Sequence, residues 1–328
     1  MPKPLPVSPL PVTPLPVTPD MIRAAHERIA GHIRHTPILQ GDPGLAGGAE
    51  VTFKLEMLQH SGSFKARGAF NNLLSKPAPA AGVTAASGGN HGAAVALAAQ
   101  KLGLKARIFV PEISSPVKIA AIRARGAEVV VGGARYADAQ AACDRHAAGS
   151  GALLVHPYDT ADTIAGAGTV ALEWELDQQR AGLAPLDTVL VAVGGGGLVS
   201  GVGAWWGGRV KVIAVEPEGS CCLAAAFEAG KPVDVSVDSI AADSLGAKRA
   251  GDLVFATSRP TVERVVLVAD AAIRAAQLAL WSGWRIAAEP GGAAAFAALL
   301  SGRYAPAPGE RVGVLLCGAN VDPATLAG

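Results

Sequence analysis

Two hydrophobic rhythms alternate along the chain from residue 20 onward. Apolar residues recur at helical spacing through MIRAAHERIAGHI, with Asp20 placed to cap the first turn. VTFKLEM (51–57) then reads as a strand, and SFKARGAFNNLLS (63–75) as a helix, with Phe64, Ala69 and Leu73 near helical spacing behind a cap-like Ser61 or Ser63. GVTAAS, a helix over 90–103, KARIFVP, a helix over 115–125, EVVVGG, a helix over 136–147 and ALLVHPY continue the alternation. A second series opens with a helix over 161–179, passes through TVLVAV, a glycine-rich turn with its helix and KVIAVEP, and runs through further helices to RVGVLLCGAN. Short apolar β-rich runs separated by helices are the pattern of parallel strands covered on both faces. The expectation is an α/β protein with two parallel-sheet domains. The smaller, residues 85–158, is set into the larger, built from 20–84 and 159–328.

Composition narrows the function classes. Net charge is +1 with no block of like charges, which points away from nucleic acid and anionic membranes and towards a small-molecule substrate. No apolar run of about 18 residues escapes a charge or a glycine, so no membrane span is expected. The N-terminus lacks the continuous apolar stretch of a secretion signal. PKPLPVSPLPVTPLPVTP (2–19) repeats a Pro-Leu-Pro-Val unit, and the reading is a mobile, extended tail over 1–19. Four cysteines, at 143, 221, 222 and 317, show no CxxC pair, which suits reduced thiols in a cytoplasmic protein. A regulatory domain beyond Asn320 is not expected.

Chemistry concentrates where strands stop. Ser87-Gly88-Gly89-Asn90-His91-Gly92, Gly194-Gly195-Gly196-Gly197-Leu198, Glu289-Pro290-Gly291-Gly292 and Cys317-Gly318-Ala319-Asn320 are small, polar turns. In open parallel sheets, ligands sit beyond the carboxyl ends of the strands. Four glycines in a row give up about 4 kcal/mol relative to alanine, against a net stability of about 5–15 kcal/mol. Such a turn lets backbone N–H groups approach an anion at a helix N-terminus, and a phosphate is the natural guest. Glu216, placed after the next strand, is where a dinucleotide's ribose would bind. However, GGGGLVSG fits GxGxxG in no frame, so an NAD(P)-dependent oxidoreductase loses its main support. Lys65 sits among small residues with Gly62 and Gly68 around it. An amine facing an anion cradle suits a compact phosphate compound carrying an aldehyde, and pyridoxal phosphate is that compound.

Ser61-Gly62-Ser63-Phe64-Lys65-Ala66-Arg67-Gly68 closely resembles the lysine segment of the serine/threonine dehydratase family of fold type II pyridoxal-phosphate enzymes. SGGNHG (87–92), HPYD (156–159), IAGAGT (164–169), GGGGLVSG (194–201) and EPGGAA (289–294) follow in the family's order, and the resemblance covers roughly residues 20–322. It implies a tryptophan synthase β-like fold, pyridoxal 5'-phosphate as cofactor and a homodimer. By position, Lys65 resembles the Schiff-base lysine, and Gly194, Gly195, Gly196, Gly197 and Leu198 the phosphate cradle. Asn90 resembles the partner of the ring hydroxyl and Cys317 the group facing the pyridine nitrogen, with Phe64 and Glu289 beside the cofactor. Ser87, Gly88, Gly89, Asn90 and His91 match the loop that receives the substrate carboxylate, with Lys65 and Ser87 the catalytic candidates. His91 is also consistent with merely shaping that loop.

The activity implied is that of an ammonia-lyase: dehydration of an L-3-hydroxy amino acid (threonine, serine or 3-phenylserine) to a 2-oxo acid and ammonia. The alternatives are a 3-hydroxyaspartate dehydratase and a serine racemase-like enzyme. Serine racemases carry a serine one place after the Ser87 position, and Gly88 argues against efficient racemisation. No metal is expected. Some relatives bind a cation through a glutamate like Glu216, but Cys222 stands where they have an aspartate. Tyr158 and the stretch 241–249 are candidate walls of the substrate pocket.

Overall fold

The structure, a computed structural model, describes residues 15–326. The expected tail falls mostly on residues 1–14, outside the described residues. In chain order the first elements are α1 (Pro19–Ile29), β1 (Ile38–Gln40), β2 (Glu50–Lys54), α2 (Lys65–Leu74), β3 (Val83–Ala86) and α3 (Asn90–Lys101). Next come β4 (Ala106–Val110), α4 (Pro116–Arg123), β5 (Glu128–Val131), α5 (Tyr136–Ser150), β6 (Leu153–Leu154) and α6 (Ala161–Arg180). β7 (Thr188–Ala192), α7 (Gly197–Trp206), β8 (Lys211–Pro217), α8 (Cys222–Ala229), α9 (Ala242–Leu245) and α10 (Asp252–Ser258) follow. β9 (Arg264–Val268), α11 (Asp270–Trp284), α12 (Pro290–Leu300) and β10 (Arg311–Leu315) complete the set.

Two sheets form, as the alternation predicts. One has six strands in the order β1-β2-β10-β7-β8-β9, the other four in the order β5-β4-β3-β6. Every pairing is parallel except β1 with β2. The late strand β10 lies between β2 and β7, so the ends of three strands distant in sequence emerge side by side. β7 is buried throughout, which is why TVLVA carries no charge. The four-stranded sheet begins at Val83, so a boundary at residues 84/85 would cut β3. In addition, Ala66, Ala69, Phe70 and Leu73 of α2 pack in the core beneath that smaller sheet.

Two expected caps are corrected. Thr18, with Pro19 at the first helical position, caps α1 by accepting from Met21 N, and Asp20 lies inside the first turn. Neither Ser61 nor Ser63 caps α2, because the segment before it is held for another purpose. Ser63 is extended and bridges Gly318, while Ser61 takes a left-handed φ of 63°.

One helix crossing explains a motif. α6 passes between α2 and α7, and a Cβ on Gly166 would stand 2.8 Å from the Arg67 carbonyl oxygen. One on Gly168 would stand 2.8 Å from the Gly201 carbonyl oxygen. IAGAGT and the last glycine of GGGGLVSG are therefore small so that backbones can touch.

Candidate active site

Beyond the carboxyl ends of β2, β10 and β7, one enclosed pocket is lined by Phe64, Lys65, Tyr158, Gly194 to Leu198, Ser244, Leu245 and Cys317. Residues 57–64 run beside the end of β10: Met57 N donates to Leu316 O (2.8 Å), Phe64 N to Cys317 O (3.1 Å) and Ala319 N to Gly62 O (2.9 Å). This pairing delivers Lys65 at the first turn of α2, next to Cys317.

Lys65 is partly buried, and its Nζ donates to the Pro157 carbonyl at 2.6 Å. Burial lowers its ammonium from the usual range to about 8, against the opposing pull of Cys317. At pH 7 about a tenth of such a group is free amine, far more than for a solvated lysine. Burial, with Glu289 nearby, pushes the Cys317 thiol up to about 12, so it stays neutral. Its Sγ donates to the Gly291 carbonyl at 3.6 Å.

The glycine turn leaves β7 and opens α7. Gly196 has φ +92° at the helix N-cap, a conformation only glycine takes freely. A Cβ on Gly195 would overlap the Tyr158 ring, and one on Gly197 would lie 2.8 Å from the Tyr158 carbonyl oxygen. The N–H groups of Gly194, Gly195 and Gly196 meet no backbone acceptor among the described residues. A cradle of N–H donors at the positive end of a helix results.

HPYD is the hub that ties these parts together. His156 Nδ1 accepts from Tyr158 N and Asp159 N at 3.3 and 2.8 Å. Pro157 faces Lys65, Tyr158 covers the glycines, and Asp159 accepts from Asp252 N and Val254 N at the start of α10.

Asn90 is fixed from both ends. Its amide donates to Glu289 Oε1 and its Oδ1 accepts from Asn320, both at 2.6 Å. Asn320 also donates to Ser61 O at 2.8 Å. Burial raises Glu289, which Asn90 and Lys118 oppose. Ser87 Oγ accepts from Gly89 N at 3.2 Å, shaping its own turn. His91 is drawn away from the pocket: buried, it bonds Val155 O through Nε2 at 2.8 Å, and burial lowers it to about 3. Neutral and tied to Val155, its ring supports the loop from within.

Sequence reasoning misses what lies under the lysine. Arg67, wholly buried, donates to Glu56 (2.9 Å), Glu173 (2.9 Å) and Thr169 (3.2 Å). Lys54 at the end of β2 donates to Thr36 O (2.6 Å), Glu173 (2.8 Å) and Asp177 (2.8 Å). Burial alone would raise Glu173, but Arg67 and Lys54 hold it at about 2. Ligand atoms of His35, Glu173 and Asp177 come within 4.8 Å of one another, yet the Lys54 ammonium already binds both carboxylates. Glu216 accepts from Leu223 N and Ala224 N, both at 2.8 Å, and Cys222 donates to Gly194 O at 3.2 Å. That carboxylate caps α8, and burial raises it to about 7.

A cleft of about 510 Å³ between α1, α6 and α7 shares no residue with the pocket. No helix of the described residues is long and apolar enough to cross a membrane, and all four cysteines are free.

Residues 29–318 match the family described as pyridoxal-phosphate dependent enzyme. The chain is 41% identical over 315 residues to a phenylserine dehydratase of Ralstonia pickettii, covering 93% of this chain and 94% of the relative. It is 36% identical over 312 residues to an L-threonine ammonia-lyase of Geobacter sulfurreducens, covering 93% and 76%. The solved structure of maize serine racemase superposes with a TM-score of 0.87 at 33% identity, covering 95% of this chain and 96% of that one.

Proposed function

The chain belongs to the family of pyridoxal-phosphate dependent enzymes, and from that premise we propose that it is an ammonia-lyase for an L-3-hydroxy amino acid. Threonine, serine and 3-phenylserine are the substrates this reading covers, with a 2-oxo acid and ammonia as products. It is supported by the names of the phenylserine dehydratase and the threonine ammonia-lyase that the chain resembles. The observation that carries it is the pairing of Lys65 with the N–H cradle of Gly194 to Gly197 in one pocket.

The residues present fit the cofactor. A side chain at Gly195 or Gly197 would drive Tyr158 off the cradle, Lys65 supplies the amine, and Phe64 and Leu198 give apolar walls. When bound, the cofactor supplies an aldehyde that bonds amines and a ring that withdraws charge from Cα. Lys65 would anchor it, be displaced by the substrate amine, and then take the Cα proton at Nζ. The resulting Lys65 ammonium would be an acid available to the departing hydroxyl. Water leaves and water returns, so the net products are a 2-oxo acid and ammonia. Asn90, held by Glu289 and Asn320, would orient the ring. Cys317 would meet the pyridine nitrogen as a neutral thiol, which suits elimination because it does not enforce a pyridinium. Ser87, Gly88, Gly89 and Asn90 would receive the substrate carboxylate at the start of α3. Tyr158 and Leu245 would bound the side-chain pocket. The same reading makes the protein a cytoplasmic homodimer in amino-acid breakdown, with its two domains divided just before β3 and close to residue 158.

The test is chemical. Purified protein should be yellow, and borohydride should fix the cofactor's mass on the peptide carrying Lys65. Lys65→Ala should abolish 2-oxo acid formation from a panel of threonine, serine, 3-phenylserine and 3-hydroxyaspartate. A colourless protein, free of cofactor yet active on the panel, would sink the reading.

A further inference from the structure

The cleft between α1, α6 and α7 has an apolar floor, with Leu172, Trp205 and Trp206 only 6%, 8% and 2% exposed. The charges on its rim are already paired. Arg23 donates to Asp20, and Glu175 accepts from both Arg209 and the Trp205 indole N–H. Both guanidiniums also lie over the Trp205 ring, 5.1 and 5.9 Å from its centroid. The surface therefore presents flat indole and guanidinium planes. Among the described residues Arg23 bonds only Asp20, so further N–H donors of its fork are left over. Such a lining does not select a charged ligand. It suits a neutral chain rich in carbonyl acceptors and poor in N–H donors, which is the chemistry of proline.

A chain of that kind is tethered at the edge of the cleft. A Pro-x-x-Pro unit stands at 6–9, again at 11–14 and again at 16–19, and no charged side chain occurs between residues 4 and 19. The last of the three units is seated. Val17 is wholly buried in the same core cluster as Leu172, Trp205 and Trp206, Thr18 caps α1, and Pro19 is both the first residue of α1 and part of the cleft wall. This surface has already taken one copy of the unit, and the copy at 11–14 repeats its residues, Pro-Val-Thr-Pro. The chain bends at Pro16 and Val17. Extended at about 3.1 Å per residue, the unit at 11–14 ends about 15 Å from Pro19, so the cleft lies within its reach.

We propose that the cleft between α1, α6 and α7 is a polyproline groove, occupied in cis by the chain's own unit at 11–14. The seated copy at 16–19 is the anchor. The unit before it lays its prolines on the Trp205 and Arg23 planes, and its carbonyls take the N–H donors left over on Arg23. Proline fixes the backbone before docking, so little conformational freedom is lost on binding. The segment then straps α1 to α6 and α7.

The test is competition. A fluorescein-labelled peptide of residues 4–14, PLPVSPLPVTP, is titrated by anisotropy against two proteins. One is the full wild-type chain, the other the same chain with residues 2–13 replaced by a Gly-Ser sequence of equal length, which keeps Val17, Thr18 and Pro19. A small exposed groove binds a free peptide with a dissociation constant of about 0.1–1 mM. A short tether gives the chain's own segment an effective concentration of about 1 mM, so the wild-type chain should bind the peptide about two- to tenfold more weakly than the Gly-Ser chain. Leu176→Glu in the Gly-Ser chain should weaken binding by about tenfold or more, and so should Pro11→Ala with Pro14→Ala in the peptide. Equal affinity of the wild-type and Gly-Ser chains, or of the Leu176→Glu chain and its parent, would overturn the groove. A peptide that binds as well without its two prolines would overturn recognition of the proline unit. Competition that appears only as protein concentration rises would assign the segment to a second copy and overturn docking in cis.

Discussion

Replacing Arg67 with methionine keeps much of its volume and removes its charge from the network beneath Lys65. Glu173 retains Lys54 after the change, so it stays paired. Glu56 does not. It loses the Arg67 Nε donor at 2.9 Å, keeps only the Thr36 hydroxyl at 3.4 Å, and its other oxygen already lacks a partner. Breaking a buried pair from one side costs about 3–5 kcal/mol, out of a total of about 5–15 kcal/mol. The deficit carries a pH signature. Burial pushes Glu56 up while Arg67 pulls it down. With Arg67 gone, the folded carboxyl titrates further above its unfolded value, so the native state binds a proton that the unfolded chain releases. Stability then falls as pH rises between the two values and is regained on acidification. Urea unfolding of wild type and Arg67→Met, with and without cofactor, should show the full deficit at pH 8 and a smaller one at pH 5. A deficit under about 1 kcal/mol at pH 8, or one just as large at pH 5, would refute the reasoning.

The remaining predictions concern the pocket. Gly195→Ala puts a methyl into the Tyr158 ring and should weaken cofactor binding by about 1–3 kcal/mol, read by titration of apoprotein; unchanged affinity would mean the turn is no cradle. The rate at which apoprotein turns yellow on adding cofactor should climb with pH and level off above about 8, since only the free Lys65 amine reacts; a flat profile would contradict the lowered Lys65. Cys317→Ser should keep most activity, whereas Cys317→Asp sets a second buried carboxyl beside Glu289 and should lower both stability and turnover; equal rates in the two would show that this contact does not tune the reaction.

The helices and the buried strands were legible because their signals are local. β7 shows its burial as an unbroken apolar run, and α6 shows itself by its length. β9, RVVLV, escapes the pattern because it is an edge strand, only half buried, that runs almost at once into α11. β1 has three residues, too few to show any period, and its antiparallel pairing depends on β2 being there to receive it. The turns that carry the chemistry were legible for the same local reason: glycine clusters after strands declare themselves. Their supports were not. Lys54 and Glu173 are 119 residues apart and Arg67 and Glu173 are 106 apart, so no window of sequence contains both partners.

Gly88 shows how one glycine can answer to two constraints at once. Read in sequence, it is the missing hydroxyl that separates this chain from serine racemases. In the structure, a Cβ on Gly88 would overlap the Ser114 hydroxyl and stand 2.8 Å from the Ser114 Cβ. Ser114 belongs to the turn after β4 whose N–H bonds Pro111 O at 3.0 Å, so its backbone is not free to retreat. Serine at 88 therefore requires a smaller residue at 114, and the two positions are coupled through packing before any question of proton transfer arises. The space beside Gly88 is already filled by Ser114 from the turn after β4. The chemistry open to residue 88 is thus set by a turn 26 residues away, as well as by the loop in which it sits.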